Sequence, residues 1–144
     1  MKVGDIMTTP AISISAEESA EVAARTLAHY NIGILPVCSP DGKICGLVTD
    51  RDLVTRCMAS GRTPAQTKVK EVMTGRVTAV SADMAADEAA RLMGSQQVRR
   101  LPVVENGKLR GIVSLGDLAK QQKSAEKAAG ALTKITRNPA DFSG

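Results

Sequence analysis

Two hydroxyl residues each stand three places before an aspartate: Thr49 and Asp52 in GLVTDRDL (46–53), and Ser114 and Asp117 in GIVSLGDL (111–118). A short β-rich run precedes each pair, so each reads as a strand running into a helix start. There the hydroxyl accepts from the third helical amide and the acid reaches back to the cap amide, which stabilises a helix by about 1 kcal/mol without any ligand. The same atoms suit a second purpose. A helix start offers free amides and partial positive charge to phosphate. A carboxylate is a poor phosphate ligand but a good acceptor for two vicinal hydroxyls, as on a ribose. Hydroxyl and acid together therefore suit a nucleoside monophosphate better than inorganic phosphate.

Charge separates the two surroundings. Arg99 and Arg100 stand just before Leu101-Pro102, where the matching positions before Leu35-Pro36 are Gly33 and Ile34. Two guanidiniums facing a helix start would clamp a phosphate through several hydrogen bonds. Read blandly, they are a solvated strand edge.

Little else in the chain could do chemistry. Cys38, Cys45 and Cys57 form no CxxC pair and are odd in number, which argues for reduced, small apolar thiols. With His29 the only histidine, neither a zinc site nor a Cys–His nucleophile has its usual ligands or flanking residues. No general base pairs with a nucleophile, so the expectation is a protein that is not an enzyme, with no catalytic residues, no metal and no cofactor.

Length and charge narrow the function classes. The 144 residues suit two small halves sharing a core, and 43% apolar with 24% charged residues is ordinary globular composition. The net charge of +4 is uneven: residues 1–118 hold 14 Lys and Arg against 13 Asp and Glu, and 119–144 hold five against two. A nearly neutral body with one Phe, one Tyr and no Trp argues against nucleic-acid binding, which would rest on the basic tail. No apolar run approaches the roughly 20 residues needed to span a bilayer, and MKVGDIMTTP lacks an apolar signal segment. The expectation is a cytoplasmic protein with no membrane contact.

The elements that must position the two devices are themselves repeated. At an offset of 66, VGDIMTTP meets VKEVMTGR, Ser15-Ala16 meets Ser81-Ala82, and Leu35-Pro36-Val37 meets Leu101-Pro102-Val103. One residue is then lost between SPDGKICG and ENGKLRG, at a turn where DG and NG supply positive φ, and the offset falls to 65. Each copy reads as strand, helix, strand, hairpin, strand, helix. The first helix is expected to open on a Ser15/Glu18 capping box and to run to about His29, burying Ala20, Ala23, Ala24 and Leu27. Its second copy buries Ala86, Ala89, Ala90 and Met93. Residues 1–60 form the first repeat, 61–67 a linker, 68–120 the second repeat, and 121–144 a polar, basic tail that could hold a frayed helix.

With both starts, both LPV segments and both helix devices in order, residues 1–120 resemble a tandem pair of CBS repeats, the Bateman module. The resemblance implies an α/β fold of two β-α-β-β-α repeats packed about a pseudo-twofold axis, with clefts for adenosine nucleotides. It implies that Asp52 and Asp117 bind ribose and that Thr49 and Ser114 lie near ribose and phosphate. It also implies base and phosphate contacts from the opposite repeat. One cleft then combines Thr49 and Asp52 with Val77, Thr78, Arg99 and Arg100. The other combines Ser114 and Asp117 with Pro10, Ala11, Ile12 and Ile34, and lacks the clamp. The expected function is a non-catalytic regulatory module sensing an AMP-like ligand, with ATP, NAD and S-adenosylmethionine as other ligands of the family. The expected partners are a second copy of the chain, in a homodimer, and a regulated enzyme or transporter. The alternatives are a dimerisation or docking module without ligand, and nucleic-acid binding through the tail.

Overall fold

The computed structural model describes residues 1–120; the expected frayed helix in 121–144 lies outside the described residues. Strand β1 (Ile14–Ser15), helix α1 (Ala20–Tyr30), strands β2 (Ile34–Cys38) and β3 (Ile44–Thr49) and helix α2 (Asp50–Asp52) follow in order. Helix α2 continues without a break into π-helical turns over Leu53–Met58. After the short α3 (Val69–Val72) come α4 (Ala86–Gln96), β4 (Arg100–Glu105), β5 (Lys108–Ser114) and α5 (Leu115–Ala119).

These elements gather into two compact units that cut across the sequence copies. Among the described residues, Ile12–Val77 forms one unit, and Met1–Ala11 joins residues 78–120 to form the other. In the first unit β1 runs parallel to β2, with Ile14 opposite Val37, and β2 pairs antiparallel with β3. Leu35, Val37, Val48, Leu27 and Val72 close its core with the small Ala20 and Ala23. In the second unit β4 and β5 form an antiparallel pair, and the first strand of the copy shrinks to one parallel bridge, Val80 to Val103. Met93, Leu101, Val103, Val113 and Leu118 close its core with Val3.

Each unit is completed by the segment that opens the other sequence copy. In the Ile12–Val77 unit, Ala20 N–H donates to Thr67 O at 2.7 Å, Val69 N–H to Glu18 O at 2.8 Å and Lys70 N–H to Ala16 O at 3.0 Å. In the other unit the matching bonds are Ala86 N–H to Met1 O at 2.9 Å, Val3 N–H to Met84 O at 2.8 Å and Gly4 N–H to Ala82 O at 2.8 Å. The segments then cross the second hairpin strand. Leu47 and Thr74 exchange both backbone bonds, as do Ile112 and Thr8. Glycine makes that crossing close: a Cβ on Gly46 would meet Met73 Sδ at 2.7 Å and Thr74 O at 2.8 Å, and one on Gly111 would meet Thr8 O at 2.8 Å.

Local expectations mostly hold, with two corrections on the first helix. Its cap is Ser19, whose Oγ accepts from Val22 N–H, and not Ser15. Ser15 is drawn into β1 by pairing with β2, and its hydroxyl accepts from Glu17 N–H inside a turn instead. The buried stripe is Ala20, Ala23 and Leu27, while Ala24 is exposed. Ala24 sits at the margin of a narrow apolar face, where leaving one methyl in water costs little. In α4 all four expected residues, Ala86, Ala89, Ala90 and Met93, are buried.

The hairpins explain the lost residue. In the first, Gly42 N–H donates to Ser39 O and Gly42 takes φ +84°, which is a turn plus one left-handed residue. In the second, Asn106 and Gly107 both take positive φ, 53° and 79°, the two-residue turn that matches strand twist.

Candidate functional site

Strand β3 delivers Thr49, and β5 delivers Ser114, at the first turn of a helix. Both devices close as reciprocal caps. Thr49 N–H donates to Asp52 Oδ2 at 3.0 Å while Asp52 N–H donates to Thr49 Oγ1 at 3.0 Å. Ser114 N–H donates to Asp117 Oδ2 at 2.9 Å and Asp117 N–H to Ser114 Oγ at 3.0 Å. The caps fix the aspartates in place and leave Oδ1 of each off the helix backbone. A second backbone bond anchors each helix start to the strand opposite: Asp50 N–H donates to Gly33 O at 3.1 Å and Leu115 N–H to Arg99 O at 2.7 Å.

The carboxylates differ in their company. Asp52 is 7% exposed, Thr74 Oγ1 lies 3.4 Å from both of its oxygens, and Arg56 Nε lies 3.7 Å from Oδ1. Asp117 is half-buried, and its cap bonds to Ser114 are its hydrogen bonds among the described residues. Sequence reading missed Thr74 and Arg56. Thr74 was visible only as part of the repeated Met-Thr, and Arg56 as one helical arginine four residues after an acid.

The remaining candidates divide between the units. Val77 shares the unit of Thr49 and Asp52, three residues beyond Thr74. Pro10 and Ala11 share the unit of Ser114 and Asp117, just beyond Thr8, whose bridge partner Ile112 stands two residues before Ser114. Ile12 and Ile34 belong to the Ile12–Val77 unit, and Ile34 pairs with Thr49 across β2 and β3. Thr78, Arg99 and Arg100 belong to the other unit, and Arg100 pairs with Ser114 across β4 and β5. Within a unit, therefore, the arginines stand beside Ser114 and the apolar Ile34 beside Thr49. The grouping implied by the family pattern is the reverse and joins residues of different units.

Burial pushes the Cys38 and Cys45 thiols above their ordinary range, Cys57 is 1% exposed, and all three are free thiols. The exposed His29 ring lies edge-on to Tyr30, with centroids 4.7 Å apart. Among the described residues no three His, Cys, Asp or Glu side chains gather as a metal site would need, and no helix is long and apolar enough to cross a membrane.

The CBS domain family model matches residues 3–59 and again 69–124. The chain belongs to the CBS-domain family. It is 41% identical over 134 residues to the CBS domain-containing protein YhcV of Bacillus subtilis, covering 93% of this chain and 94% of that protein. The crystal structure of Hypoxic Response Protein I with two coordinated zinc ions is similar over 84% of this chain and 98% of its own, at 31% identity and a TM-score of 0.76. The CBS domain pair of protein MJ0100, in complex with 5′-methylthioadenosine and S-adenosyl-L-methionine, covers 83% of this chain and 94% of its own at 28% identity, with a TM-score of 0.71. A CBS pair is a regulatory ligand-binding type of module, and the chain has two CBS repeats in a mixed α/β fold.

Proposed function

We propose that this CBS pair is a non-catalytic sensor of an adenine nucleotide, AMP-like in its chemistry, and that occupancy is read by a regulated enzyme or transporter. The observation that carries the reading is the pair of aspartates fixed at helix starts, each with a carboxylate oxygen turned away from its own cap bonds. A held carboxylate accepts two ribose hydroxyls without first paying to be ordered. The adenosine ligands of the MJ0100 pair support the same ligand class. In this reading Asp52 and Asp117 take ribose, and Thr49 and Ser114 lie by ribose and phosphate. Val77, Thr78, Pro10, Ala11, Ile12 and Ile34 line the base, and Arg99 and Arg100 read the phosphate. The functional form is a homodimer in the cytoplasm.

Mass spectrometry of the denatured protein identifies any co-purified nucleotide, and calorimetry with AMP, adenosine and S-adenosylmethionine ranks the ligands. AMP is expected to bind more tightly than adenosine. Arg99→Ala with Arg100→Ala should abolish that difference, since each charge-assisted bond contributes about 1.5–3 kcal/mol. Following the family pattern, this loss should be non-additive with Asp52→Asn and additive with Asp117→Asn. The reverse coupling would place the clamp at Ser114, the residue Arg100 pairs with. If the caps serve folding alone, both Asn variants lower the ligand-free melting temperature and no nucleotide binds. That result favours a docking module, whereas steeply salt-dependent binding lost on truncation after Lys120 favours nucleic acid. Sedimentation showing a monomer at tens of micromolar removes the homodimer.

A further inference from the structure

We propose that Arg56 and Thr74 are positioning residues of the Thr49/Asp52 site, fixing the ribose acid and tying it to the segment 73–77. The inference rests on the nucleotide reading above and names the residues that would make one site respond differently from the other.

The cap holds Asp52 through Oδ2 alone, at the Thr49 amide. Thr74 supplies what the cap does not: its hydroxyl lies 3.4 Å from each carboxylate oxygen, so a single O–H can swing between them. Arg56 acts from the helix side. Its Nη1 donates to Met73 O at 3.0 Å, and that bond aims Nε at Asp52 Oδ1, 3.7 Å away. One guanidinium thus touches the acid and the carbonyl just before Thr74. The segment is itself pinned, because Thr74 and Leu47 exchange backbone bonds of 2.8 and 2.9 Å over Gly46. Acid, arginine and segment form one closed set of contacts within the unit.

The ion pair by itself adds little stability. The Arg56 side chain is 54% exposed, and an exposed helical pair four residues apart contributes only about 0.3–0.5 kcal/mol. Positioning accounts for the set, since two vicinal hydroxyls need both carboxylate oxygens at fixed places. A ribose that takes Oδ1 leaves Oδ2 to the Thr74 hydroxyl, which keeps holding the acid, and the shift of that hydrogen bond passes to Met73–Val77, the stretch of chain that leaves the unit. Asp117 has no such set among the described residues. Thr8, which matches Thr74, makes the same backbone pair with Ile112 but is exposed, and the position matching Arg56 is Gln121 in the sequence.

Arg56→Gln, Thr74→Val and the double variant test the role with two readouts. The first is the preference for AMP over 2′-deoxy-AMP by calorimetry, which senses ribose hydroxyls. The second is amide exchange of Leu47 and Thr74 without ligand. Each single variant is expected to cut the preference about fivefold, the equivalent of one hydrogen bond, and to speed exchange at both amides while the β4–β5 hairpin keeps its protection. A preference retained in the double variant overturns the positioning role alone, as does unchanged exchange at Leu47 and Thr74. Failure of the unmodified protein to bind either nucleotide overturns the nucleotide reading and this inference with it.

Discussion

The two units make matching backbone bonds to their completing segments and hold the same kind of capped aspartate, yet one aspartate is packed round by side chains and the other, among the described residues, is held by its cap. The cap belongs to the fold: both units need a helix to start where a strand ends, and both meet that need with a hydroxyl and an acid three residues apart. Thr74 and Arg56 belong to one unit and are not required by the turn. Shared features therefore report on architecture, and unshared ones on what each acid is for.

The largest effects should be shared. Leu35 and Leu101 are 0% and 2% exposed at matching positions of β2 and β4. Replacing either with Ala should cost about 2–5 kcal/mol through lost burial and the cavity left behind. Urea unfolding followed in both variants checks the equivalence. A loss at one position several times that at the other would show that one unit repacks and the other cannot.

The next effect tests the crossing segments. Ala at Gly46 or at Gly111 drives a Cβ to 2.8 Å from a carbonyl that is already locked in a backbone pair. A methionine sulfur also stands at each position and can move, but the carbonyl cannot move without breaking the bridge. Both substitutions should cost about 1–3 kcal/mol, and Gly46→Ala should also weaken nucleotide binding by shifting Thr74. Equal loss of stability with no change in binding would separate the crossing from the site.

Much of this fold was legible in residue types and spacing. The offset of the copies, the two caps and the DG and NG turns are local, so their chemistry is written in neighbouring residues. The Ser15 cap failed for a long-range reason, because pairing with β2 takes Ser15 into a strand and leaves Ser19 to start the helix. Completion of each unit by the other copy's opening segment was also long-range. Its one local sign was a glycine inside each second hairpin strand, at Gly46 and again at Gly111, which marks close approach of another backbone. Thr74 and Arg56 escaped notice because contacts 22 and 17 residues apart in sequence depend on that completion.

A smaller effect sharpens the contrast between the first helices. Ser19 caps α1, while α4 begins at Ala85 with no side-chain cap, although Ala85 already has the extended backbone a cap needs, φ −65° and ψ 139°. Ser19→Ala should lower stability by about 1 kcal/mol and Ala85→Ser should raise it by a similar or smaller amount. Thermal melts of both decide it. No gain from Ala85→Ser would mean that the Glu88 amide, which already donates to Ala85 O, is satisfied as it stands.

The smallest effect concerns an acid held by its partner segment in each unit. Glu17 accepts from Lys70 Nζ at 2.8 Å and from Lys68 Nζ at 2.9 Å, and the two, Lys70 foremost, hold its carboxyl down at about 2 from the usual 4.5. In the other unit Asp83 faces Lys2 at 3.5 Å, and Gly4 takes the place of Lys70. Because Glu17 is more acidic folded than unfolded, its contribution is complete above pH 4.5 and is lost as pH falls from there toward about 2. Lys70→Gln should therefore make stability fall less steeply between pH 4.5 and 2, and Lys68→Gln should do so more weakly. Glu17 is open to solvent, so added salt should erase most of the difference between variant and unmodified protein. Urea midpoints measured at pH 7 and pH 3, at low and high salt, read this directly. An unchanged pH dependence in Lys70→Gln would mean that Lys68 alone holds the acid, and that the units are more alike here than their sequences suggest.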